Sequence, residues 1–226
     1  MIAKFVTLHQ VFVCSIHQIA HFTRHEVNRR KINEMRCMVM TDPRLFLAIP
    51  VPEDVRSALK QYMDSLKKQW SFHKWVHPQD AHITLKFLGA TSAAARSQIS
   101  RKLSEITRTF GPFDLQLEGW GSFGRPASPS ILWAGVGGDL QRLSSIQYEV
   151  EQAAAESGFE RENRHYSPHI TVARKYNGNS AFQWSQMTSD QPVPVLAWQV
   201  QQVVLYQSHL HRTPMYEAIE HYPLTT

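Results

Sequence analysis

The chain has 226 residues, 42% apolar and 19% charged, which reads as ordinary and globular and suits one packed domain. Its net charge of +5 is uneven: Lys4, Arg24, Arg29, Arg30, Lys31 and Arg36 against Glu26, Glu34 and Asp42 place +3 in residues 1–42 and leave +2 to the remainder. So balanced a body does not coat long nucleic acid, although it suits a grip on one terminal nucleotide, and no apolar run approaches the roughly 20 residues of a membrane span.

Residues 1–42 differ from the rest. The apolar stretch 2–22 is broken by His9, Gln10, His17, Gln18 and His21, and no small-residue cleavage site follows, which argues against a signal peptide. The segment reads as an N-terminal extension, poorly ordered or an upstream start, with Met40-Thr41-Asp42-Pro43 as the working N-terminus and 43–226 as a single domain. Both cysteines, Cys14 and Cys37, lie in this segment and imply no disulfide framework, so a reducing, cytoplasmic setting is expected.

From Arg44 the elements are crisp. The β-rich run 45–51 stops at Pro50 and Pro52. Residues 53–70 have helical apolar spacing at Val55, Leu59, Tyr62, Met63 and Leu66, with acids at the start. A strand is expected over 81–88, closed by Gly89, then a helix over 92–110 and an alternating strand over 113–117. After a Gly/Pro/Ser loop come a strand over 131–136 and a helix over 139–157, ended by Gly158. A second motif strand starts at His169. A polar stretch around 177–190 precedes strands near 193–199, 202–208 and 215–220. Several strands lack intervening helices, which argues α+β with antiparallel sheets.

One tetrapeptide pattern occurs in two of these strands: His82-Ile83-Thr84-Leu85 and His169-Ile170-Thr171-Val172. In a strand, alternate residues share a face. Each copy therefore presents a histidine and a threonine together and turns its apolar residues inward. Two further His-x-Thr sites carry less weight: His21-Phe22-Thr23 has no strand around it, and His211-Arg212-Thr213 runs into Pro214. The two motif strands lie 87 residues apart in a body of about twice that length. The expected architecture is therefore bilobal: two pseudo-twofold-related lobes of antiparallel sheet with outer helices and the site in the cleft between them.

The segments Asp80-Ala81-His82-Ile83-Thr84-Leu85-Lys86-Phe87-Leu88-Gly89 and Ser167-Pro168-His169-Ile170-Thr171-Val172-Ala173-Arg174 resemble the paired signatures of the two-histidine phosphoesterases. Within that superfamily they resemble most the LigT-like RNA 2′,3′-cyclic phosphodiesterases, the 2′-5′ RNA ligase family. Arg44 to Ile49, Gly121-Ser122-Phe123, Pro129 to Trp133, Leu205 to Ser208 and Tyr216 add to the likeness, which spans about residues 43–222. The family often carries Arg where this chain has Ser130, and residues 1–42 match nothing in it.

The resemblance implies metal-independent hydrolysis of an RNA terminal 2′,3′-cyclic phosphate to a 2′-phosphate. Some members also join or cleave 2′-5′ linkages in tRNA fragments. The chemistry needs a base for water and an acid for the departing ribose oxygen, which two imidazoles titrating near pKa ~6.5 can provide. His82 is assigned as proton donor and His169 as proton acceptor, near-symmetry leaving the reverse open. Thr84 and Thr171 are assigned to the phosphate oxygens.

Arg174 is a natural anion clamp, but strict alternation turns it away from His169 unless the strand ends or bulges. Lys86 shares the parity of His82, although a solvated lysine is the commoner outcome. Phe123 and Tyr166 are candidates to stack on a base, with core packing as the commoner fate. No third ligand accompanies the histidines, so no metal or cofactor is expected. The expected partner is an RNA 3′ end or short oligonucleotide bearing the cyclic phosphate, met by a monomer away from any membrane. Two alternatives stay open: the same chemistry on a small cyclic nucleotide or an ADP-ribose cyclic phosphate, and a nucleotide-binding module without turnover.

Overall fold

Acids open the first helix and bases close it, and its buried side chains recur every three or four residues. Helix α1 (Glu53–Gln69) begins with Glu53 and Asp54, ends with Lys67 and Lys68, and buries Val55, Leu59, Met63 and Leu66. Ser92 caps helix α2 (Ala93–Thr107) by accepting the Ala95 N–H, and Asp139 caps α3 (Leu140–Glu156) by accepting that of Arg142. Gly158, at φ +88°, follows α3 in the left-handed region that glycine tolerates. The structure, a computed structural model, describes residues 42–190, 193 and 195–225. The expected extension over 1–42, with both cysteines and the His21 motif copy, lies outside the described residues but for Asp42.

The strands are β1 (Arg44–Pro50), β2 (Phe72–Trp75), β3 (His82–Ala90), β4 (Phe113–Arg125), β5 (Ser128–Gly138), β6 (His169–Tyr176), β7 (Ala197–Val200), β8 (Gln202–Ser208) and β9 (Tyr216–Pro223). They join in the order β7-β4-β5-β6-β3-β1-β8-β9, with β2 also on β6. Every pairing is antiparallel. The fold is α+β and two-lobed: β3, β1, β8 and β9 build one lobe, β6, β5, β4 and β7 the other. The lobes meet where β3 and β6 pair through Ile83 and Ile170. α3 packs on β3, and α2 packs on α3 and β9.

Three expectations change. The Gly/Pro/Ser stretch is no loop: β4 and β5 form a long hairpin turning at residues 126–127. Register shifts at residues 117–120 and 123–124, with Gly119 and Gly124 at positive φ, interrupt the alternation that would have revealed a strand. The polar stretch 177–190 contains a short helix α4 (Trp184–Asp190), and the following strand is shorter than expected, over Ala197–Val200. β2 is four residues long with Phe72 buried and His73 and Lys74 exposed, too little pattern to read.

Candidate active site

The site begins at the residue pair through which β3 and β6 meet. Ile83 and Ile170 lie opposite each other and are fully buried. Directly opposed residues share a face in an antiparallel pair, and their neighbours point the other way. The register thus turns His82 toward Thr171 and Thr84 toward His169, and all four side chains onto the cleft face. Each of the four is partly exposed.

The two histidines are held alike. His82 Nδ1–H donates to the Asp80 carbonyl at 2.7 Å, and His169 Nδ1–H donates to the Ser167 carbonyl at 2.7 Å. A carbonyl can only accept, so each Nδ1 carries the hydrogen and each Nε2 is left as the working nitrogen. Asp80 is itself fixed: its buried carboxylate accepts the N–H groups of Met215 (2.9 and 3.0 Å) and Tyr216 (3.0 Å). That bond ties β9 to the turn ahead of His82 and sets the Tyr216 ring edge-on to the imidazole, 5.1 Å between centroids. Phe46 packs against the same imidazole at 4.8 Å, and Tyr206 lies 6.1 Å away. Phe123 stands edge-on to His169 at 4.9 Å, with Trp133 at 5.9 Å.

This aromatic packing weakens hydration of the charged imidazoles. Burial lowers the pKa of His82 from 6.5 to about 4, opposed by its bond to Asp80 and that carboxylate's charge. His169 is also lowered by burial, opposed by its carbonyl bond and helped by the nearby Arg174 charge. Burial raises the phenols of Tyr206 and Tyr216.

Arg174 reaches this face because β6 bulges. Leu132 pairs with Ala173 but Trp133 pairs with Thr171, so Val172 is the extra residue. Val172 and Ala173 both turn inward and are fully buried, and Arg174 returns to the side of His169. It sits within electrostatic reach of both histidines and Tyr216.

Strand β3 bulges at the same motif position. Leu47 pairs with Lys86 and Ala48 with Thr84, leaving Leu85 over. Lys86 therefore faces neither cleft nor solvent: it is 6% exposed and its Nζ donates to Glu151 Oε1 at 2.6 Å and to the Glu160 carbonyl. Phe87 takes the cleft side, 65% exposed and 5.9 Å from Phe46.

Of the other candidates, Phe123 meets His169 as described, whereas Tyr166 packs against the core with its hydroxyl buried and unpaired. Ser130 and His165 are exposed, and the His211 motif copy lies in the turn between β8 and β9. The sequence reading missed Phe46, Phe87, Trp133, Tyr206 and Tyr216 as site residues. Alternation in β1 could have placed Phe46 beside the motif, but the others depend on bulges or on the pairing of distant strands. Among the described residues, no group of three His, Cys, Asp or Glu side chains could hold a metal ion, and no helix is long and apolar enough to cross a membrane.

A family model described as LigT like phosphoesterase matches residues 49–133 and 138–216, both motif strands included. An RNA 2′,3′-cyclic phosphodiesterase of Geobacillus stearothermophilus is 32% identical over 179 residues, 79% of this chain and 56% of the relative, so the chain spans little more than half the length of that protein. One of the same name from Bacillus subtilis is 31% identical over 183 residues, 81% of this chain and 97% of the relative. Escherichia coli LigT shares the fold in its apo form (TM-score 0.65, 24% identity, 82% of this chain, 99% of LigT) and complexed with 3′-AMP (TM-score 0.61, 25% identity, 82% and 99%). Matched over most of its described length by the family model and over nearly all of the Bacillus relative, the chain belongs to the LigT-like phosphoesterases.

Proposed function

We propose that this chain hydrolyses the 2′,3′-cyclic phosphate at the 3′ end of an RNA to a 2′-phosphate, by metal-independent acid–base catalysis between His82 and His169. The observation that carries the reading is the pair of antiparallel motifs opposed at Ile83 and Ile170, each imidazole holding its Nδ1–H on a backbone carbonyl. Two free Nε2 atoms on one cleft face suit an in-line displacement at phosphorus. The names of the Geobacillus and Bacillus relatives support the reaction class, and the LigT complex with 3′-AMP supports a nucleotide as ligand.

In the proposed step, His169 Nε2 takes a proton from water as its oxygen bonds to phosphorus. The bond from phosphorus to the ribose 3′ oxygen breaks, and His82 gives that oxygen its proton. The product carries a 2′-phosphate and a 3′-hydroxyl, and protons exchanged with solvent reset the pair. Thr84, Thr171 and Arg174 donate to the non-bridging oxygens, where charge gathers. A bound phosphate anion restores the proton that burial removes from the free cleft. The Asp80 carboxylate behind His82 favours placing that proton there, and the Arg174 charge opposes it on both imidazoles. A ribose 5′-hydroxyl in place of water would give a 2′-5′ linkage by the same step.

The test is to incubate the purified chain with an oligonucleotide ending in a 2′,3′-cyclic phosphate in excess EDTA. The expected product is the 2′-phosphate. Activity lost in EDTA and restored by a divalent ion would overturn the metal-free mechanism, and a 3′-phosphate product would overturn the leaving-group assignment.

A further inference from the structure

Beside His82 the sheet continues into a groove that the hydrolytic step does not use. Its cavity is about 510 Å³, within the range that holds a nucleotide-sized ligand. The floor is the cleft face of β1, β8 and β9: Pro50 lies opposite His82, Val204 opposite Ala48, and Ala218 opposite Tyr206. Tyr206 and Tyr216, which pack around the His82 ring, also line the groove, so the two tyrosines separate the groove from the imidazole and touch both.

The groove's chemistry is selective. Arg56 lines it from the first turn of α1. One Nη donates to Glu53 at 2.6 Å, but the buried Nε has no hydrogen-bond partner. Gln79 and Gln202 bring side-chain amides, and the Gln202 carbonyl oxygen meets His221 Nδ1 at 3.1 Å. No Asp or Glu is among the described residues lining it. Arg56, with one Nη shared with Glu53, amides that can read base edges and the half-buried rings of Tyr206 and Tyr216 are what a phosphodiester-linked nucleotide would meet.

We infer that this groove binds the nucleotide 5′ to the terminal one, with Arg56 on the connecting phosphate, so that the enzyme prefers an RNA end over a free cyclic nucleotide. The inference rests on the cyclic phosphodiesterase reading above and names its substrate class.

The experiment compares kcat/KM for a dinucleotide ending in a 2′,3′-cyclic phosphate with that for the matching mononucleoside 2′,3′-cyclic phosphate. The full chain is used, as wild type, Arg56→Ala, Arg56→Lys and Ala218→Trp. Ala218 is exposed on the groove floor, so tryptophan there obstructs the groove without emptying any packed position. The wild type should favour the dinucleotide by about tenfold or more, as one charge-assisted contact supplies. Arg56→Ala and Ala218→Trp should each remove most of that ratio, and Arg56→Lys should keep part of it. A wild-type ratio of one, or a ratio unchanged in both Arg56→Ala and Ala218→Trp, overturns the inference. A wild type inert on both substrates sinks the phosphodiesterase reading instead. The groove is then judged by titrating a 2′-phosphate-terminated dinucleotide, for which tighter binding to wild type than to Ala218→Trp supports it and equal Kd values overturn it.

Discussion

His82 and His169 differ in what surrounds an otherwise identical bond, and the difference is measurable. The competent state holds one proton over the pair, whichever imidazole carries it. At a pH below both of their lowered values, His82 and His169 are both protonated and no base remains. As pH rises through the higher of the two values, still below the ordinary 6.5, the last proton leaves and no acid remains. The kcat/KM profile, which reports the free enzyme, should therefore be bell-shaped with its maximum on the acid side of the ordinary 6.5. A maximum near pH 8 would show that burial does not govern these imidazoles. Replacing either histidine with alanine should cost about 10²–10⁴-fold in kcat on the cyclic phosphate. The bell cannot say which residue is the acid, but a leaving group can. On a nucleoside p-nitrophenyl phosphodiester, whose phenolate departs without a proton, His82→Ala should recover most of its loss and His169→Ala should not. Recovery by His169→Ala alone would exchange the two roles.

The strands carry a lesson about what a sequence discloses. Alternation placed His82, Thr84, His169 and Thr171 on one face correctly because those residues precede the bulges. At Leu85 and Val172 the count fails, and the next residues change sides: Lys86 goes into the interior and Arg174 comes to the cleft. A bulge is a property of two paired strands, and the partner residues Leu47 and Leu132 lie 38 and 40 positions away in sequence from the bulges they oppose, so no local pattern shows it. The helices were more legible, since caps such as Asp139 and stops such as Gly158 act through neighbouring residues. The bulge also makes Lys86 a stability element. Its ammonium neutralises Glu151, whose Oε1 accepts the Glu162 N–H as well and whose Oε2 is buried without a partner. Lys86 and Glu151 thus hold residues 160–162, the start of the connection that delivers Pro168 and His169. Lys86→Met leaves a buried carboxylate uncompensated and should lower stability by about 3–5 kcal/mol in denaturant unfolding. Lys86→Met with Glu151→Gln should recover much of that loss, because the amide oxygen can still accept from Glu162. Equal instability of the single and double variants would show that packing, not charge, is what the pair supplies.

For the molecule as a whole, the question is where the working enzyme begins. Asp42–Thr226 forms one compact unit, and the family model starts at residue 49. The elements around both histidines run from β1 to β9 and close on themselves: Asp80 bonds the backbone of β9, and Glu220 of β9 accepts from Arg96 and Ser100 of α2. Every contact described at the site is made within this unit. A chain starting at Met40 should therefore fold and retain full activity, measured as soluble yield, melting temperature and kcat/KM on a cyclic-phosphate oligonucleotide. The rival idea gives the basic segment 1–41, which carries all six of the positive side chains named there, a role in holding RNA. In that case truncation should weaken binding of long substrates, flatten the salt dependence of what binding remains and spare a dinucleotide. We expect no such split: long and short substrates should change together, by less than twofold. Insolubility of the Met40 variant, or loss of activity on every substrate, would make the first 39 residues part of the fold and move the domain boundary toward the start of the chain.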